Sequence, residues 1–287
     1  MRDRIVCFGD VIDDVVVVPG GPIREDTDTP SEIVLRPGGS PANTAAWLGS
    51  LGAAVDFVGT VGLGDAARHR ALMPGVTAHL REHESLPTGT IVVIVEGESR
   101  SMLTSRGANV ALDPADATRE LLSNAAVVHL TGHSLLNDAG AEGFAALIAR
   151  ARQAGADVSV SPGSVGFIAD YGVTAFCEAI AGATILFPSL EEGRLLTGLD
   201  DPLEVAADLA KHFETVVLTL GAEGVIVDGE HIPAATATIL DPTGAGDALC
   251  AGFLDEWVRS RDASAAARAG VALAARAVEV RGGRPPA

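Results

Sequence analysis

Short apolar runs alternate along this chain with longer stretches in which apolar residues return every three or four positions, and glycines mark most of the joins. Ile5-Val6-Cys7-Phe8 opens the series as an unbroken run suited to a strand buried on both faces; it stops at Gly9, with Asp10, Asp13 and Asp14 just beyond. Gly38-Gly39-Ser40-Pro41-Ala42-Asn43 leads into a helix over 44–52, entered through proline and left through glycine. A strand over 54–61 follows, then a turn with a helix start at Asp65. From residue 113 the alternation is regular. A helix starts at Asp113-Pro114, and then come strand 126–130, helix 138–154, strand 157–161, helix 171–181 and strand 184–187. Helices to 198 and over 202–213 precede strands 216–219, 225–227 and 231–238, and an alanine-rich helix covers 263–280. Strand and helix in rotation predict an α/β fold with a mostly parallel sheet and crossover helices.

Some segments stand outside that rotation. Residues 15–18 and 32–35 read as strands, and 88–95 with 100–104 as a hairpin turning at Glu96-Gly97-Glu98-Ser99. Segments about 11–36 and 88–106 are thus expected to form a small β-sheet lid on a single domain spanning 1–287. The apolar run 91–95 calls for burial on both faces, and a second copy of the chain is the most economical cover. A homodimer through the lid is expected.

At 287 residues the chain can bury a large core around one sheet. Aromatic residues are only 4%, which suits close helix-on-sheet packing more than an aromatic-rich binding surface. A net charge of −18 without a run of Lys or Arg argues against nucleic acid and anionic membrane as partners. The single lysine, Lys211, rules out a G-x-x-x-x-G-K phosphate loop, so any phosphate must be held by backbone and metal. No stretch reaches the roughly 18 apolar residues of a membrane span and the start runs straight into a strand pattern, so a cytoplasmic location is expected. Cys7, Cys177 and Cys250 are far apart and read as reduced, buried small hydrophobes.

The strongest chemical signal is Asp241-Pro242-Thr243-Gly244-Ala245-Gly246-Asp247-Ala248, a glycine-rich turn opening into an apolar helix. Such a turn leaves backbone N–H groups unpaired beside the positive end of the helix dipole, a seat for an anion. Asp247 would repel that anion unless it has a task, such as accepting the proton of a hydroxyl that attacks a phosphate. Gly38 and Gly39 let backbone approach a ligand, and Asn43 brings both donor and acceptor. The Gly221/Gly224 spacing lets a nucleotide lie against backbone, although a plain hairpin is as economical. Ser189-Leu190-Glu191-Glu192 fits a capping box, with Glu192 also at the C-terminal end of a strand. Arg106, past the hairpin, either reaches a substrate or lies on the surface.

The signatures Gly38-Gly39-x-Pro41-Ala42-Asn43 and Asp241-x-Thr243-Gly244-Ala245-Gly246-Asp247, with Thr219-Leu220-Gly221-x-x-Gly224 between them, resemble those of ribokinase-like sugar kinases, the PfkB family. The resemblance runs from Gly9 to Pro285. It implies a three-layer α/β/α domain with a small β-lid, and transfer of the γ-phosphate of ATP to a substrate hydroxyl with Mg2+. By position it makes Asp247 the base, and the N–H groups of Gly244, Ala245 and Gly246, with that of Asp247, the anion hole. Asp14, Gly38, Gly39 and Asn43 then contact the sugar, while Ser189, Thr219, Gly221, Gly224 and Thr243 fall on the nucleotide side. Glu192 helps to place Mg2+ through water, and Asp241 and Thr243 fall where some members bind a monovalent cation, for which K+ is the candidate. Ser189 replaces the family's asparagine, which alters the water network around Mg2+. Ser40 and Pro41 stand where ribokinases have lysine and glycine, a pattern closer to fructokinases and ketodeoxygluconate kinases.

An aspartate near its ordinary pKa of about 4 is too weak to deprotonate an alcohol outright, so proton transfer is expected late in phosphoryl transfer. Segments 11–36 and 88–106 contain no Phe, Tyr or Trp, whereas a nucleobase wants a flat partner. A sugar or sugar acid is therefore favoured, with Arg106 or Arg100 as the cation an acid would need. A nucleoside kinase of the same family, and after it a catalytically idle sugar- or nucleotide-binding regulator, are the alternatives. A serine hydrolase finds no G-x-S-x-G here, and a Rossmann dehydrogenase finds no G-x-G-x-x-G after the first strand.

Overall fold

In the computed structural model, which describes residues 3–96 and 99–286 with the side chains of residues 96, 99 and 100 excepted, the first apolar run forms β1 (Arg4–Phe8) inside a nine-stranded sheet. Its pleat sends Ile5 and Cys7 into one apolar layer and Val6 and Phe8 into the other, so the run tolerates no polar member. The other strands are β4 (Val55–Gly62), β5 (Val76–His83), β8 (Ala125–Thr131), β9 (Asp157–Ser161), β10 (Ile185–Leu186), β11 (Thr215–Thr219), β12 (Val225–Val227) and β13 (Glu230–Ile232). They run β13-β12-β11-β10-β9-β8-β1-β4-β5, parallel except for the β11–β12 and β12–β13 pairs. Because β4 and β8 flank β1, the winding reverses beside it and a crevice opens beyond its C-terminal end.

Helices α1 (Ser40–Ser50), α9 (Ala245–Ser260) and α10 (Ala263–Ala277) cover one face, where Trp47, Phe253 and Ala267 share a layer with Ile5. The other face is covered by α3 (Arg119–Asn124), α4 (Gly140–Gln153), α5 (Val165–Tyr171), α6 (Val173–Ala179), α7 (Leu190–Thr197) and α8 (Pro202–Leu209), with Phe144, Phe176 and Val205 beside Phe8. A short α2 (Ala66–Ala71) follows β4. Strands β2 (Ile12–Pro19), β3 (Ser31–Gly38), β6 (Gly89–Glu96) and β7 (Ser99–Ser105) form a separate sheet in the order β3-β2-β6-β7. The three-layer α/β/α fold and its additional small sheet are those the sequence predicts. Among the described residues no helix is long and apolar enough to cross a membrane.

Several elements differ from expectation, each for a local reason. β5 was not anticipated, because its alternating exposed Thr77, His79 and Arg81 suit an edge strand rather than a buried run. Asp113 caps only a 3-10 turn, and the α-helix begins later, where Thr118 Oγ accepts from Leu121 N–H. The helix expected over 171–181 is α6, which starts only after Gly172 with φ 95°, and α5 before it lies outside the expected elements. The strand expected over 231–238 ends at Ile232. Cys177 is exposed, unlike Cys7 and Cys250. The run 91–95 is only half-buried, and the small sheet leaves Ile33, Leu35, Met102 and Leu103 exposed, Leu35 by 73%. Glu96 pairs with Ser99 across the hairpin, whose turn residues Gly97 and Glu98 lie outside the described residues.

Candidate active site

Two helix starts meet at one carboxylate. Gly39, φ 90°, turns β3 into α1 so close to the loop after β1 that an added Cβ would lie 2.2 Å from the Asp10 carbonyl oxygen. Gly244, φ 77°, starts α9, and a Cβ there would fall 2.5 Å from Gly283 Cα. In the first turn of α9, Asp247 points toward the start of α1. Asn43 Nδ2 donates to its Oδ2 at 2.9 Å and Ser40 Oγ donates to its Oδ1. Burial nevertheless pushes the Asp247 pKa up to about 6, against the opposing pull of Ser40, Asn43 and Arg284. The carboxyl is thus not at the ordinary value near 4, although it remains far more acidic than an alcohol.

Asp13 and Asp14 are neighbours on β2, so the strand pleat sends them to opposite sides. Asp13 takes the Arg68 guanidinium at 2.8 and 2.7 Å. Asp14 lies against Gly38, where an added Cβ would sit 2.2 Å from Oδ2, and burial pushes its pKa up to about 6, with Arg284 opposing and Asp13 adding. Arg284 lies outside the signature motifs. It is 7% exposed, and its Nε donates to Asn43 Oδ1 at 3.1 Å, its Nη2 to the Gly38 carbonyl at 2.9 Å and its Nη1 to the Leu72 carbonyl at 3.3 Å. No periodicity marks such a residue. The available hint was the number of aspartates needing a counter-charge in a chain poor in basic residues.

Arg106 is neither free nor on the surface: its side chain is 18% exposed and its Nη2 donates to Asp10 Oδ1 at 3.0 Å. Its Nε is buried without a hydrogen-bond acceptor. The Arg100 side chain lies outside the described residues.

On the other side of the crevice, Ser189 and Thr219 are bridged in parallel at the ends of β10 and β11, and the Thr219 N–H donates to the Pro188 carbonyl at 2.8 Å. The capping box is present: Ser189 N–H donates to Glu192 Oε2 at 2.7 Å, and Glu192 N–H to Ser189 Oγ at 3.2 Å. Burial raises the Glu192 pKa, while hydrogen bonds from Ser189 and the Gly163 backbone oppose the rise. Gly221 faces open space, as does Gly246, whereas a Cβ on Gly224 would strike the Ile232 carbonyl at 2.1 Å. The Ala245 N–H already reaches the Pro242 carbonyl at 3.3 Å. Asp241 ties the turn to the C-terminal segment, its Oδ1 accepting from Thr243 N–H and its Oδ2 from Gly282 N–H, both at 3.0 Å. A hollow of about 680 Å3 beside Asp56 and His79 includes none of these residues and abuts the opposite ends of β1 and β4.

Residues 2–287 match the sequence profile of the pfkB family of carbohydrate kinases. The chain belongs to this family. As a pfkB carbohydrate kinase it is a phosphotransferase, and the family uses ATP. An ATP-dependent ribose-1-phosphate kinase from Halopiger xanaduensis is 33% identical over 236 residues, 78% of this chain and 74% of that one. A fructokinase from Escherichia coli is 30% identical over 234 residues, 76% of each chain. The solved adenosine kinase from Sinorhizobium meliloti superposes with a TM-score of 0.87 over 100% of this chain and 97% of its own, at 24% identity, which establishes a shared fold.

In this pfkB kinase the raised Asp247 pKa has a consequence for stability. Between the unfolded value near 4 and the folded value of about 6, the native state holds a proton that the unfolded state lacks, so this site favours folding more as pH falls. Wild type therefore gains stability relative to Asp247→Asn between pH 7 and pH 4.5. Urea denaturation of both proteins measures the gap, and a gap independent of pH would mean the carboxyl is unperturbed.

Proposed function

We propose that the chain transfers the γ-phosphate of ATP to a hydroxyl of a small sugar or sugar acid, with Asp247 as base. The observation that carries this reading is the Asp247 carboxylate, held by Ser40 and Asn43 in the first turn of α9 beside the open Gly246. An acceptor hydroxyl takes the place of Ser40 Oγ on Oδ1 and presents its oxygen to a phosphoryl group seated on the N–H groups of Gly244, Ala245, Gly246 and Asp247. Ala245 releases its long bond to Pro242 to join them. As the bond from phosphorus to the ADP oxygen breaks and the bond to the acceptor oxygen forms, the acceptor proton passes to Asp247. Since a carboxylate of pKa about 6 cannot take that proton first, positioning and the amide dipoles supply most of the acceleration.

Asp14, Gly38, Gly39 and Asn43 line the sugar side of this proposed site, and Ser189, Thr219, Gly221 and Thr243 the nucleotide side, with Gly224 shaping its turn. Mg2+ bound with ATP would supply neutralisation of the phosphate charge. Glu192 offers only oxygen and is tied to Ser189 and Gly163, a donor that suits contact through water rather than direct ligation. Asp241 and Thr243 are the candidates to hold a monovalent cation such as K+, since both offer the oxygen donors that a hard cation takes. The unpartnered Arg106 Nε favours an acceptor with an anionic group, and the Halopiger relative is named for one, ribose 1-phosphate. Residues 1–287 act as one domain, with the four-stranded sheet as its lid and a second copy over the exposed apolar face of that sheet.

The deciding experiment is an ADP-release screen with MgATP, with and without K+, against pentoses, hexoses, sugar phosphates, ketodeoxy sugar acids and nucleosides. Turnover is expected with a sugar or sugar acid; turnover with nucleosides alone would overturn the acceptor class, and ligand binding without ADP would mark an idle regulator. Asp247→Asn should lower kcat at least about 10²-fold, the scale of general-base loss, with KM for ATP little changed. Near-normal turnover would remove Asp247 from the mechanism. Sedimentation should show a dimer, and monomer alone at working concentrations would refute the lid interface.

A further inference from the structure

We infer that Arg284 is a positioning residue of the acceptor site: from the segment after α10 it fixes the orientation of Asn43 and supplies the counter-charge to Asp14 and Asp247. This rests on the reading of Asp247 as base and adds a residue to it that no signature motif contains.

A guanidinium carries donors only. Its 3.1 Å contact with Asn43 must therefore involve the amide oxygen, which turns the Asn43 amide nitrogen toward Asp247 Oδ2 at 2.9 Å. Without Arg284 nothing in that contact prevents the amide from flipping and setting its carbonyl against the carboxylate. The same fork donates to the Gly38 carbonyl, beside the Asp14 carboxylate, and to the Leu72 carbonyl at the end of α2. One side chain thus ties together the glycine turn, the asparagine and α2. The segment carrying it is itself anchored, since Trp47 Nε1 donates to the Gly283 carbonyl at 3.0 Å and Gly282 N–H to Asp241.

The charges point the same way. Among the described residues Asp14 from β2 and Asp247 from α9 face this region, and Asp13, on the other side of β2, also acts on Arg284. Asp13 has its own partner in Arg68, which leaves Arg284 to offset the other two. His69 on α2 and Cys250 on α9 also adjoin, but burial lowers the imidazole pKa and raises that of the thiol, so both are neutral at pH 7. Burial lowers the Arg284 pKa to about 10, which keeps it charged. Asp14 and Asp247 already sit at about 6 with this cation present, and its loss would move both toward neutrality in the working range.

Two substitutions separate the roles. Arg284→Gln removes the charge and keeps an amide donor; Arg284→Lys keeps the charge and loses the planar fork. In pH profiles of kcat/KM for the best acceptor, Arg284→Gln should move the acid limb up by about one pH unit, the scale of losing a nearby opposite charge. Arg284→Lys should leave that limb in place while raising the acceptor KM about tenfold, with KM for ATP changed less than about twofold. A wild-type acid limb in Arg284→Gln, or an acceptor KM unchanged in Arg284→Lys, overturns the inference. So does a loss confined to the thermal midpoint, or an equal rise in both KM values. Should Arg284→Gln not fold, the acceptor KM of Arg284→Lys at pH 8 decides alone. If Asp247→Asn retains turnover, the base assignment fails whatever these variants do; if it is inactive while both Arg284 variants behave as wild type, only the role of Arg284 fails.

Discussion

A carboxylate withdrawn from water and held ionisable at neutral pH is the constraint on which the rest of this site depends. Burial works against the charge on Asp247, and the molecule opposes burial from several directions at once. Two hydrogen bonds come from the start of α1, the positive end of α9 lies beneath, and Arg284 stands behind Asn43. Together they require that two helices far apart in sequence begin at the same place, and that the segment after α10 return to meet them.

Those requirements explain several otherwise unrelated residues. Glycine at 39 is needed because β3 must turn into α1 against the backbone of Asp10, and glycine at 244 because α9 must start against Gly283. Trp47 is buried in the layer between α1 and α9, yet its indole nitrogen is satisfied by the carbonyl of Gly283, so one core residue also fixes the segment that carries Arg284. The reversal of winding beside β1 then leaves room beyond the strand ends. The residues proposed for the acceptor side hang from β2 and α1, and those proposed for the nucleotide side follow β10 and β11.

The small sheet follows a different logic. It leaves Ile33, Leu35 and Leu103 in contact with water on one face and Met102 on the other. Toward the crevice the same sheet contributes charge instead. Asp13 is matched by Arg68 and Asp14 lies near Arg284, while Arg106, just past β7, is matched by Asp10. Pairing with Asp10 tempers Arg106 as an anion receptor, since any acidic acceptor must compete with a carboxylate already 3.0 Å away.

The α/β class, the run of parallel strands and the glycine-rich turn before α9 were all legible in the sequence, because each depends on local pattern: unbroken apolar runs, glycine at a turn, a proline at a helix entrance. Family resemblance added expected roles for Asp14, Asn43 and Asp247. What local pattern does not encode is which distant groups share a desolvated volume. The edge strand β5 was invisible because it is buried on one side only. The raised pKa of Asp247, the pairing of Arg106 with Asp10 and the place of Arg284 were decided by tertiary structure alone. Each arises when burial removes water from charges brought together across more than 90 residues of chain, and no window of sequence contains both partners.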